Sequence, residues 1–510
     1  MPQKIVILGG GTAGWMAANL FVRKWSAEQV TVSLIEAPDI GIIGVGEGST
    51  PTLNRFFQLI DVADAEWMPR CNATYKVNIR FEGWSPESGL ESYSHPFASQ
   101  VDAFTRDAFT TNCRLRRLGF DVHTRPDDFF INGVLAHEGK GPLAPDNFPF
   151  MMEYGYHFDS GLLGDFLRER AVSRGVSHLQ RRIVDVEMTE DGDIAALVSD
   201  AGERVEADFF VDCTGFASLL MRKTLGVRFE SFSSNLFNDA AVVLPTPIGA
   251  DFSAETVSYA LSNGWCWKIP LTSRFGNGYV YSSDFLSADE AETELRGFLG
   301  LHDTDVEARH LKMNVGQLER HWQGNCIALG LSQGFIEPLE ATALLLVQIA
   351  IEIFIAKYEQ GDFTAQYRDA YNAKIHERFE RVRDYIVSHY KLNTRTDSEY
   401  WTANRENMEL SSSLRHILDV WYRRGDLTEE IQRQNIESHF GTLSWHCLLS
   451  GYGVYPQLAE DQSRRRDFYE EDKVERFLSR CALNFVPHRE NLAALQHAQL
   501  PEEPASEDCE

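Results

Sequence analysis

Short apolar runs alternate with polar turns over the first two-thirds of the chain, whereas apolar residues recur at helical spacing over the last third. The run KIVIL at 4–8 is rich in β-branched residues and predicts a strand. The segment GGGTAGWMAANLFVRKW that follows predicts a tight turn opening a helix, and Val30 to Ile35 predict a second strand ending in Glu36. These patterns together predict a βαβ unit at the start of the chain.

Later patterns predict the remaining elements. The segment GVGEGSTP at 44–51 predicts a glycine-rich turn, and residues 54–62 and 160–175 predict helices. Residues 183–215 predict a β-meander that returns to a strand, and 276–285 alternate like a strand. After Pro338 the pattern is helical to about residue 440. The sequence therefore predicts a mixed α/β (α+β) fold with a mostly helical C-terminal part.

The length of the apolar stretches and the spacing of the cysteines indicate the cellular compartment of the protein. The most apolar stretch, Ala343 to Ala356, is too short to cross a bilayer and contains Gln348 and Glu352, so it predicts a buried helix. The N-terminus enters a strand directly, without the features of a signal peptide. Eight scattered cysteines without a Cys-x-x-Cys pair fit neither a zinc site nor a disulfide scaffold. We therefore expect a cytoplasmic protein without a metal site.

The net charge of the chain limits the classes of partner that it can bind. Its formal net charge is -27, from 75 acidic and 48 basic residues. An excess of this size repels nucleic acid and anionic membranes, so neither is expected as a partner. Solubility is the simplest role for this charge. The sequence leaves both a monomer and a homodimer open.

A dinucleotide-binding motif lies in the predicted βαβ unit. Gly9, Gly11 and Gly14 form a Gly-x-Gly-x-x-Gly pattern between strand and helix, and Glu36 follows 22 residues after Gly14. The glycines let backbone amides, including those of Thr12 and Ala13, approach a pyrophosphate at the helix N-terminus. The carboxylate accepts hydrogen bonds from a ribose. The same motif serves NAD and FAD.

Further glycine-bearing segments favour FAD over NAD. One strand ends in Val211-Asp212-Cys213-Thr214-Gly215, and GNCIALGLSQGFIEPLE at 324–340 contains another such turn. A chain that returns repeatedly to one cofactor suits the larger FAD. The additional candidates for cofactor binding are Gly46, Glu47, Asp212, Gly215, Gly330 and Leu331.

Four of these segments resemble those of the flavin-dependent tryptophan halogenase family: GGGTAGWMAA, GVGEGSTP, VDCTGF and GLSQGFIEPLEAT. The resemblance is good over residues 4–350 and weaker beyond. It implies a flavoprotein monooxygenase-like fold in which 1–350 form an FAD-binding module with an inserted substrate-facing β region. Residues 351–497 would form a helical part covering the substrate, and 498–510 a disordered acidic tail.

The family also implies a reaction. FADH2 from a separate flavin reductase would react with dioxygen to give a flavin C4a-hydroperoxide. Bromide or chloride would attack it, and the resulting hypohalous acid would halogenate a small electron-rich aromatic, of indole type. No second dinucleotide motif for NAD(P)H is evident, which fits a separate reductase.

Two residues match the catalytic positions of the family. Lys76, in TYKVNIRF, matches the lysine that holds hypohalous acid or forms a haloamine. Glu340, before the apolar helix, matches the glutamate that stabilises the arenium cation and removes its proton. Without the match, Lys76 would be taken for a surface residue and Glu340 for a helix-start residue.

Other matches concern the substrate and the flavin. Trp265 and Trp267 match the WxWxIP pattern that keeps the substrate apart from the flavin, although two core residues on one strand face would give the same pattern. His95 and Phe97 match a substrate pocket, where His95 would bond near the reacting ring and Phe97 would stack on it. A histidine beside a proline is otherwise common in loop packing.

The sequence departs from the family at two places. Thr342 and Ala343 stand where tryptophan-specific members read Thr-Gly, and the halide is expected at the amides of this step. The segment 438–453 lacks the paired tyrosines and the glutamate that grip free tryptophan. We therefore expect a free indole as substrate. Two alternatives stay open, namely an FAD aromatic hydroxylase and a catalytically inactive flavin-binding protein.

Overall fold

The predicted βαβ unit is present. In the computed structural model of the chain, strand β1 (Gln3–Leu8), helix α1 (Thr12–Lys24) and strand β2 (Val30–Glu36) follow one another, and β1 pairs with β2 in parallel. The structure describes residues 1–39, 41, 46–249, 252–302, 304–458 and 471–497. The tail 498–510 therefore lies outside the described residues, as do Gly44 and Val45 of the predicted glycine-rich turn.

The remaining strands are short and concentrated before residue 340. In chain order they are β3 (Gly46–Gly48), β4 (Thr74–Lys76), β5 (Asn78–Glu82), β6 (Ser92–Pro96), β7 (Gly155–Asp159), β8 (Ser177–Gln180), β9 (Ile183–Met188), β10 (Ile194–Ser199), β11 (Arg204–Glu206), β12 (Phe209–Asp212), β13 (Phe229–Ser231), β14 (Ala240–Thr246), β15 (Glu255–Leu261), β16 (Gly264–Pro270), β17 (Phe275–Tyr281), β18 (Arg309–Lys312), β19 (Gly316–Leu318), β20 (Trp322–Gln323), β21 (Cys326–Ala328) and β22 (Gly334–Phe335).

Helices dominate the last third of the chain. After α1 they are α2 (Thr52–Leu59), α3 (Asp64–Trp67), α4 (Arg106–Arg117), α5 (Ile131–His137), α6 (Ser160–Ser173), α7 (Ala288–Leu299), α8 (Ala343–Gln360), α9 (Arg368–Lys391), α10 (Glu399–Glu406), α11 (Ser412–Tyr422), α12 (Leu427–Gln434), α13 (Thr442–Gly451), α14 (Glu471–Ala482) and α15 (His488–His497). The helices predicted at 54–62, at 160–175 and after Pro338 are confirmed.

The candidate site is positioned by the three-stranded sheet β3-β7-β4, which contains Lys76, and by two larger sheets. One has the strand order β20-β21-β12-β1-β2-β8, and its core strands β21, β12, β1, β2 and β8 pair in parallel. The other has the order β18-β14-β17-β16-β15-β5-β6 and is mainly antiparallel. The predicted meander is confirmed as β9, β10 and β11, after which the chain enters the parallel sheet through β12. The mixed α/β fold class is confirmed.

One predicted turn is partly a strand. Gly46–Gly48 forms β3, which pairs antiparallel with β7, and β4 pairs with the same strand. The side-chain hydroxyl of Ser49 accepts a hydrogen bond from the Tyr156 amide, and its own amide donates to the Tyr156 carbonyl. Glycine content suggested a turn, but pairing with a distant strand decided the conformation.

Helix α8 is the buried helix predicted from the apolar stretch. It packs against α1, α2 and α9 and is apolar on most of its surface, as expected for a helix inside the core. The boundary predicted at residue 350 falls inside this helix. The division into an FAD-binding module and a covering part stays a prediction. None of the helices in the described ranges combines the length and apolarity needed to cross a membrane.

Candidate active site

Two glycines of the Gly-x-Gly-x-x-Gly motif are required by close packing of the β1–α1 turn. Gly9 has a φ of +117°, and a Cβ there would lie 2.1 Å from the Cys213 carbonyl oxygen. A Cβ on Gly14 would lie 2.1 Å from the carbonyl oxygen of Gly9. Gly11 differs, because a Cβ there would meet nothing within 4 Å. The turn is therefore packed closely against neighbouring backbone at Gly9 and Gly14 and has open space at Gly11.

The N-terminus of α1 fits a pyrophosphate. Gly11 is the N-cap residue and provides no side-chain cap, so the amides of the first turn, beginning at Thr12 and Ala13, are available to an anion. Glu36 lies beside this turn and bonds through Oε1 to Nε2 of His178 at 2.7 Å. A Cβ on Gly10 would overlap Glu36 Oε2, which places this second oxygen at the turn, where a ribose would be expected.

The strand end after β12 shapes a second loop of the cofactor site. Asp212 is fully buried, and its carboxylate accepts hydrogen bonds from Thr214, Leu220 and Met221. It therefore holds the loop in shape rather than presenting a free acceptor. Gly215 follows with a φ of +66°, and a Cβ there would meet nothing within 4 Å.

The third loop lies against the second. Gly330 has a φ of +64° and begins a short 3-10 turn that includes Leu331 and ends at Ser332. The Ser332 hydroxyl donates to the Gly215 carbonyl at 3.1 Å. The structure thus brings the segments around Gly9, Gly215 and Gly330 to one edge of the parallel sheet.

Gly46 and Glu47 lie on β3, opposite β7. Burial raises the pKa of Glu47 to about 7, while a hydrogen bond with Ser160 acts in the opposite direction. At the other end of this strand, a Cβ on Gly48 would lie 3.2 Å from Nζ of Lys76. The glycine-rich segment therefore connects the candidate cofactor site with Lys76.

Lys76 is fully buried at the end of β4. Its Nζ has no hydrogen-bond partner among the described residues and lies 5.5 Å from the centre of the Phe97 ring. Burial lowers the pKa of Lys76 to about 7, although the Glu340 carboxylate acts in the opposite direction. A buried amine that lacks a hydrogen-bond partner has lost its hydration without compensation. Such an amine beside an aromatic ring is unusual unless it has a chemical role.

Glu340 is held by two histidines. Its Oε2 lies 2.9 Å from Nδ1 of His95, and its Oε1 lies 3.0 Å from Nε2 of His389. Burial raises the pKa of Glu340, but His95 and His389 outweigh this effect and lower it to about 2. The carboxylate is therefore ionised at neutral pH.

His95 is occupied by protein groups at both ring nitrogens. Besides Glu340, it bonds through Nε2 to the Ser444 hydroxyl of α13 at 3.0 Å. The sequence predicts that His95 bonds near the reacting ring of a substrate, whereas here it supports the carboxylate. Phe97 lies two residues further along and faces Lys76.

Trp265 and Trp267 lie on β16, with ring centres 6.1 Å apart. The indole N–H of Trp265 donates to Glu337 Oε2 at 2.8 Å, and Tyr390 and Asn238 donate to the same oxygen. Burial raises the pKa of Glu337, against these three hydrogen bonds. The pKa values of the neighbouring carboxylates Glu337 and Glu340 are therefore shifted in opposite directions.

Thr342 and Ala343 lie at the N-terminus of α8. Thr342 is 1% exposed, and no described residue hydrogen-bonds to its hydroxyl. It gives no side-chain cap to the helix. Ala341 before it has a φ of +55°, a left-handed conformation uncommon for alanine. The first backbone amides of α8 and the buried Thr342 hydroxyl therefore lie together at the N-terminus of a long helix, which is the positive end of its dipole.

Sequence reasoning missed His389, Ser444 and the role of Glu337. His389 and Ser444 lie on helices far along the chain from Glu340, and a single histidine or serine on a helix carries no local signal. Glu337 stands in the EPLE motif, but the family match favours Glu340 as the catalytic residue. Only tertiary packing brings these residues together.

The parallel sheet with its glycine turns, and the buried lysine and glutamate beyond it, define a flavoprotein oxidoreductase whose residues fit a bound FAD. Residues 4–467 match the family model described as tryptophan halogenase. The chain belongs to the tryptophan halogenase family, and it is a flavin-dependent halogenase of aromatic substrates. The resemblance seen in the sequence is thereby confirmed, and nothing supports the hydroxylase alternative.

Several relatives cover nearly the whole chain. The tryptophan 6-halogenase SttH of Streptomyces toxytricini is 37% identical over 82% of this chain and 84% of its own length. The structure of a flavin-dependent halogenase, BrvH, from Brevundimonas sp. is 32% identical and superposes with a TM-score of 0.83 over 97% of this chain and 99% of that one. A tryptophan halogenase from Shewanella frigidimarina gives a TM-score of 0.86 at 28% identity, over 98% and 99% of the two chains.

Proposed function

We propose that this halogenase uses Lys76 to deliver the halogen and Glu340 to take the proton from the aromatic ring. Bound reduced flavin, with dioxygen and halide, supplies hypohalous acid. The observation that carries the proposal is that the buried Lys76 Nζ lacks a hydrogen-bond partner among the described residues, while the ionised Glu340 is close enough to affect its pKa.

The environment of Lys76 suits either mode of delivery. A protonated amine would donate a hydrogen bond to hypohalous acid and polarise it. A neutral amine would react with the acid to form an N–halogen bond and release water. Because burial lowers the pKa of Lys76 to about 7, a large fraction is neutral near neutral pH, which favours the haloamine.

Glu340 suits the second half of the reaction. Halogen addition to an aromatic carbon gives a positively charged arenium, which a nearby carboxylate stabilises and deprotonates. A pKa of about 2 makes Glu340 a weak base, but an arenium is a very strong acid, so ionisation and position matter more than basicity.

The substrate we propose is a small electron-rich aromatic, with a free indole favoured over tryptophan. Phe97 offers a ring beside Lys76 on which such a substrate would stack. Trp265 and Trp267 would separate this pocket from the flavin, and Glu337 would fix the orientation of Trp265.

The halide would bind at Thr342 and Ala343. The amides at the N-terminus of α8 and the unpartnered Thr342 hydroxyl suit a small anion. A methyl group at Ala343, in place of glycine, would crowd this position and leave some of the cost of dehydration uncompensated. Bromide holds its water less tightly than chloride and is easier to oxidise, so it should tolerate a poorer site.

A competition experiment tests the halide proposal. At equal chloride and bromide concentrations, we expect brominated product to dominate, as read from isotope patterns. Dominance of the chlorinated product would mean that Ala343 leaves the halide site undisturbed.

A separate flavin reductase is the partner we propose, because the chain has one dinucleotide motif. The reductase would act by releasing FADH2 that diffuses to the halogenase, so chemically reduced FAD should support turnover in its absence. The sequence leaves a homodimer open.

Replacement of Lys76 tests the proposal directly. Lys76→Ala should abolish halogenation of an indole while FADH2 oxidation continues and hypohalous acid or peroxide is released. Lys357→Ala is a matched control, since this lysine also lies over an aromatic ring, at 5.2 Å from Tyr367, but outside the site. Halogenation by Lys76→Ala at near the wild-type rate would rule out Lys76 as the delivery group.

A further inference from the structure

The carboxylate of Glu340 is gripped from two elements. His95 approaches Oε2 from β6, and His389 approaches Oε1 from α9. A carboxylate only accepts hydrogen bonds, so both ring nitrogens that face it carry hydrogen. Each oxygen retains one further acceptor position. These two hydrogen bonds fix the plane of the carboxylate and still leave Glu340 able to accept a proton.

We propose that His389 is a positioning residue that fixes the orientation of the Glu340 carboxylate for proton removal. The inference rests on the proposed role of Glu340 as the base.

His389 is itself rigidly held. Its Nδ1 lies 3.1 Å from the Tyr452 hydroxyl, which can donate to the lone pair of a neutral ring. Its ring contacts the rings of Phe81, Tyr385 and Trp84, at centroid distances of 4.7, 5.5 and 6.0 Å. These contacts fix one ring orientation and one tautomer, with hydrogen on Nε2.

The two histidines are not equivalent. His389 is 1% exposed and enclosed by aromatic rings, whereas His95 is 12% exposed and bonds to the partly exposed Ser444. Burial lowers the pKa of His389, so it stays neutral at neutral pH. His389 therefore acts by geometry and by donating one hydrogen bond, which favours the charged form of Glu340.

Few other groups near Glu340 change charge at neutral pH. The pKa values of the tyrosines and the cysteine around it are raised by burial, so these groups remain neutral. The titratable side chains that face Glu340 are His95, His389, Lys76, Tyr93, Tyr385, Cys447 and Tyr452. Lys76 changes charge near neutral pH, since burial lowers its pKa to about 7, so a role of His389 in orienting Glu340 predicts no shift of the pH profile.

The test compares His389→Phe, which removes the N–H donor, with His389→Gln, which can keep one. For His389→Phe we expect halogenation at pH 7 to fall at least about tenfold, with little change in substrate KM. Its kcat should carry the loss while the pH profile stays unchanged, because Glu340, with a pKa of about 2, remains ionised after one hydrogen bond is lost. Oxygen consumption with FADH2 should continue. His389→Gln should retain activity within about threefold and the wild-type profile.

His321→Gln is the matched control. His321 is also fully buried and stacks on Phe379, but it bonds to Gln317 outside the site. If His389→Phe does not fold, Tyr452→Phe replaces it as the probe, since loss of the hydroxyl frees the His389 tautomer. A smaller loss of activity with an unchanged pH profile is expected.

Equal halogenation rates for His389→Gln and His389→Phe, or a loss that appears in substrate KM rather than in kcat, would overturn the inference. Glu340→Gln separates this outcome from failure of the proposed function. If Glu340→Gln is inactive while His389→Phe halogenates at the wild-type rate, only the role of His389 is wrong. If Glu340→Gln is fully active, the base itself has been misassigned.

Discussion

At the scale of single residues, burial without a partner is what gives Lys76 its chemistry. A surface lysine stays protonated far above neutral pH. Enclosed beside Phe97 and Gly48, the same amine loses hydration that no described hydrogen bond replaces. Its pKa falls to about 7, where protonated and neutral forms coexist.

This shift predicts the pH dependence of halogen transfer. Below about 7 Lys76 is mostly protonated, and above it the amine is mostly neutral. If a haloamine carries the halogen, the single-turnover rate of halogenation should rise with pH through about 7 and then level off. Rapid-quench measurement of product between about pH 5.5 and 9, on either side of this pKa, checks this. A rate that falls through the same range would instead favour hydrogen-bonded hypohalous acid.

Replacement of Glu340 should be nearly as severe as replacement of Lys76, but by a different route. Glu340→Gln keeps the shape and removes the base, so turnover should fall by about 10²–10⁴, the range for a positioned general base. Steady-state halogenation of an indole measures this. Glu255→Gln, at another buried glutamate, is the control. A fall of less than tenfold in folded protein would mean that Glu340 is not the base.

The sequence predicts those site residues that stand in local motifs. Lys76 and Glu340 lie in short segments with recognisable neighbours, and both are buried as expected. His389 lies in no such motif. Its function depends on contacts that form only when α9 folds back over β5 and β6. The interpretation of His95 needed the same information, since only tertiary structure shows that Glu340 and Ser444 occupy both its nitrogens.

At the scale of elements, periodicity predicts the strands and helices well, and glycine content less well. The β1–α1–β2 unit, the meander and α8 form as predicted because each has a strong local pattern. Gly46–Gly48 is a strand because β7 provides hydrogen-bond partners from more than a hundred residues away. A glycine run predicts flexibility of the backbone but not which long-range pairing uses it.

The β1–α1 turn allows a sharp test at this scale. Gly9→Ala adds a Cβ that would lie 2.1 Å from a carbonyl oxygen, in a backbone with positive φ. Unfolding free energy should fall by at least about 3 kcal/mol, and FAD retention should be lost. Gly175→Ala shares a positive φ, +100°, but meets nothing within 4 Å, so it should cost only about 1–2 kcal/mol and keep FAD.

Chemical denaturation and flavin fluorescence measure the two quantities for both variants. If Gly9→Ala binds FAD like the wild type, the turn does not lie against the cofactor.

At the scale of the whole molecule, the last third of the chain completes a site begun in the first third. Lys76 and His95 come from strands, whereas His389 and Ser444 come from α9 and α13, which close over them. The aromatic contact between Tyr385 and Phe440, 3.7 Å between ring centres, joins α9 to the segment before α13 beside His95. The covering helices therefore determine both the orientation of the base and the space left for a substrate.

This arrangement bears on the choice between indole and tryptophan. Tryptophan carries an ammonium and a carboxylate, which lose water on binding and need partners in return. In the described segment 438–453, three hydroxyls are already engaged: Ser444 with His95, Tyr452 with His389 and Thr442 with Glu437. Buried nitrogens without a hydrogen-bond partner among the described residues remain at His439 and Trp445. Free indole makes no such demand.

We therefore expect kcat/KM for indole to exceed that for tryptophan by at least about tenfold, the effect of roughly 1.4 kcal/mol of uncompensated dehydration. Steady-state assays with indole, tryptamine, indole-3-propionate and tryptophan separate the two charged groups, since the middle pair carries one each. Both single-charge compounds should fall between the extremes. A kcat/KM for tryptophan above that for indole would show that other residues hold the amino-acid group. Tryptophan would then be the favoured substrate, as the names of the relatives indicate for those proteins.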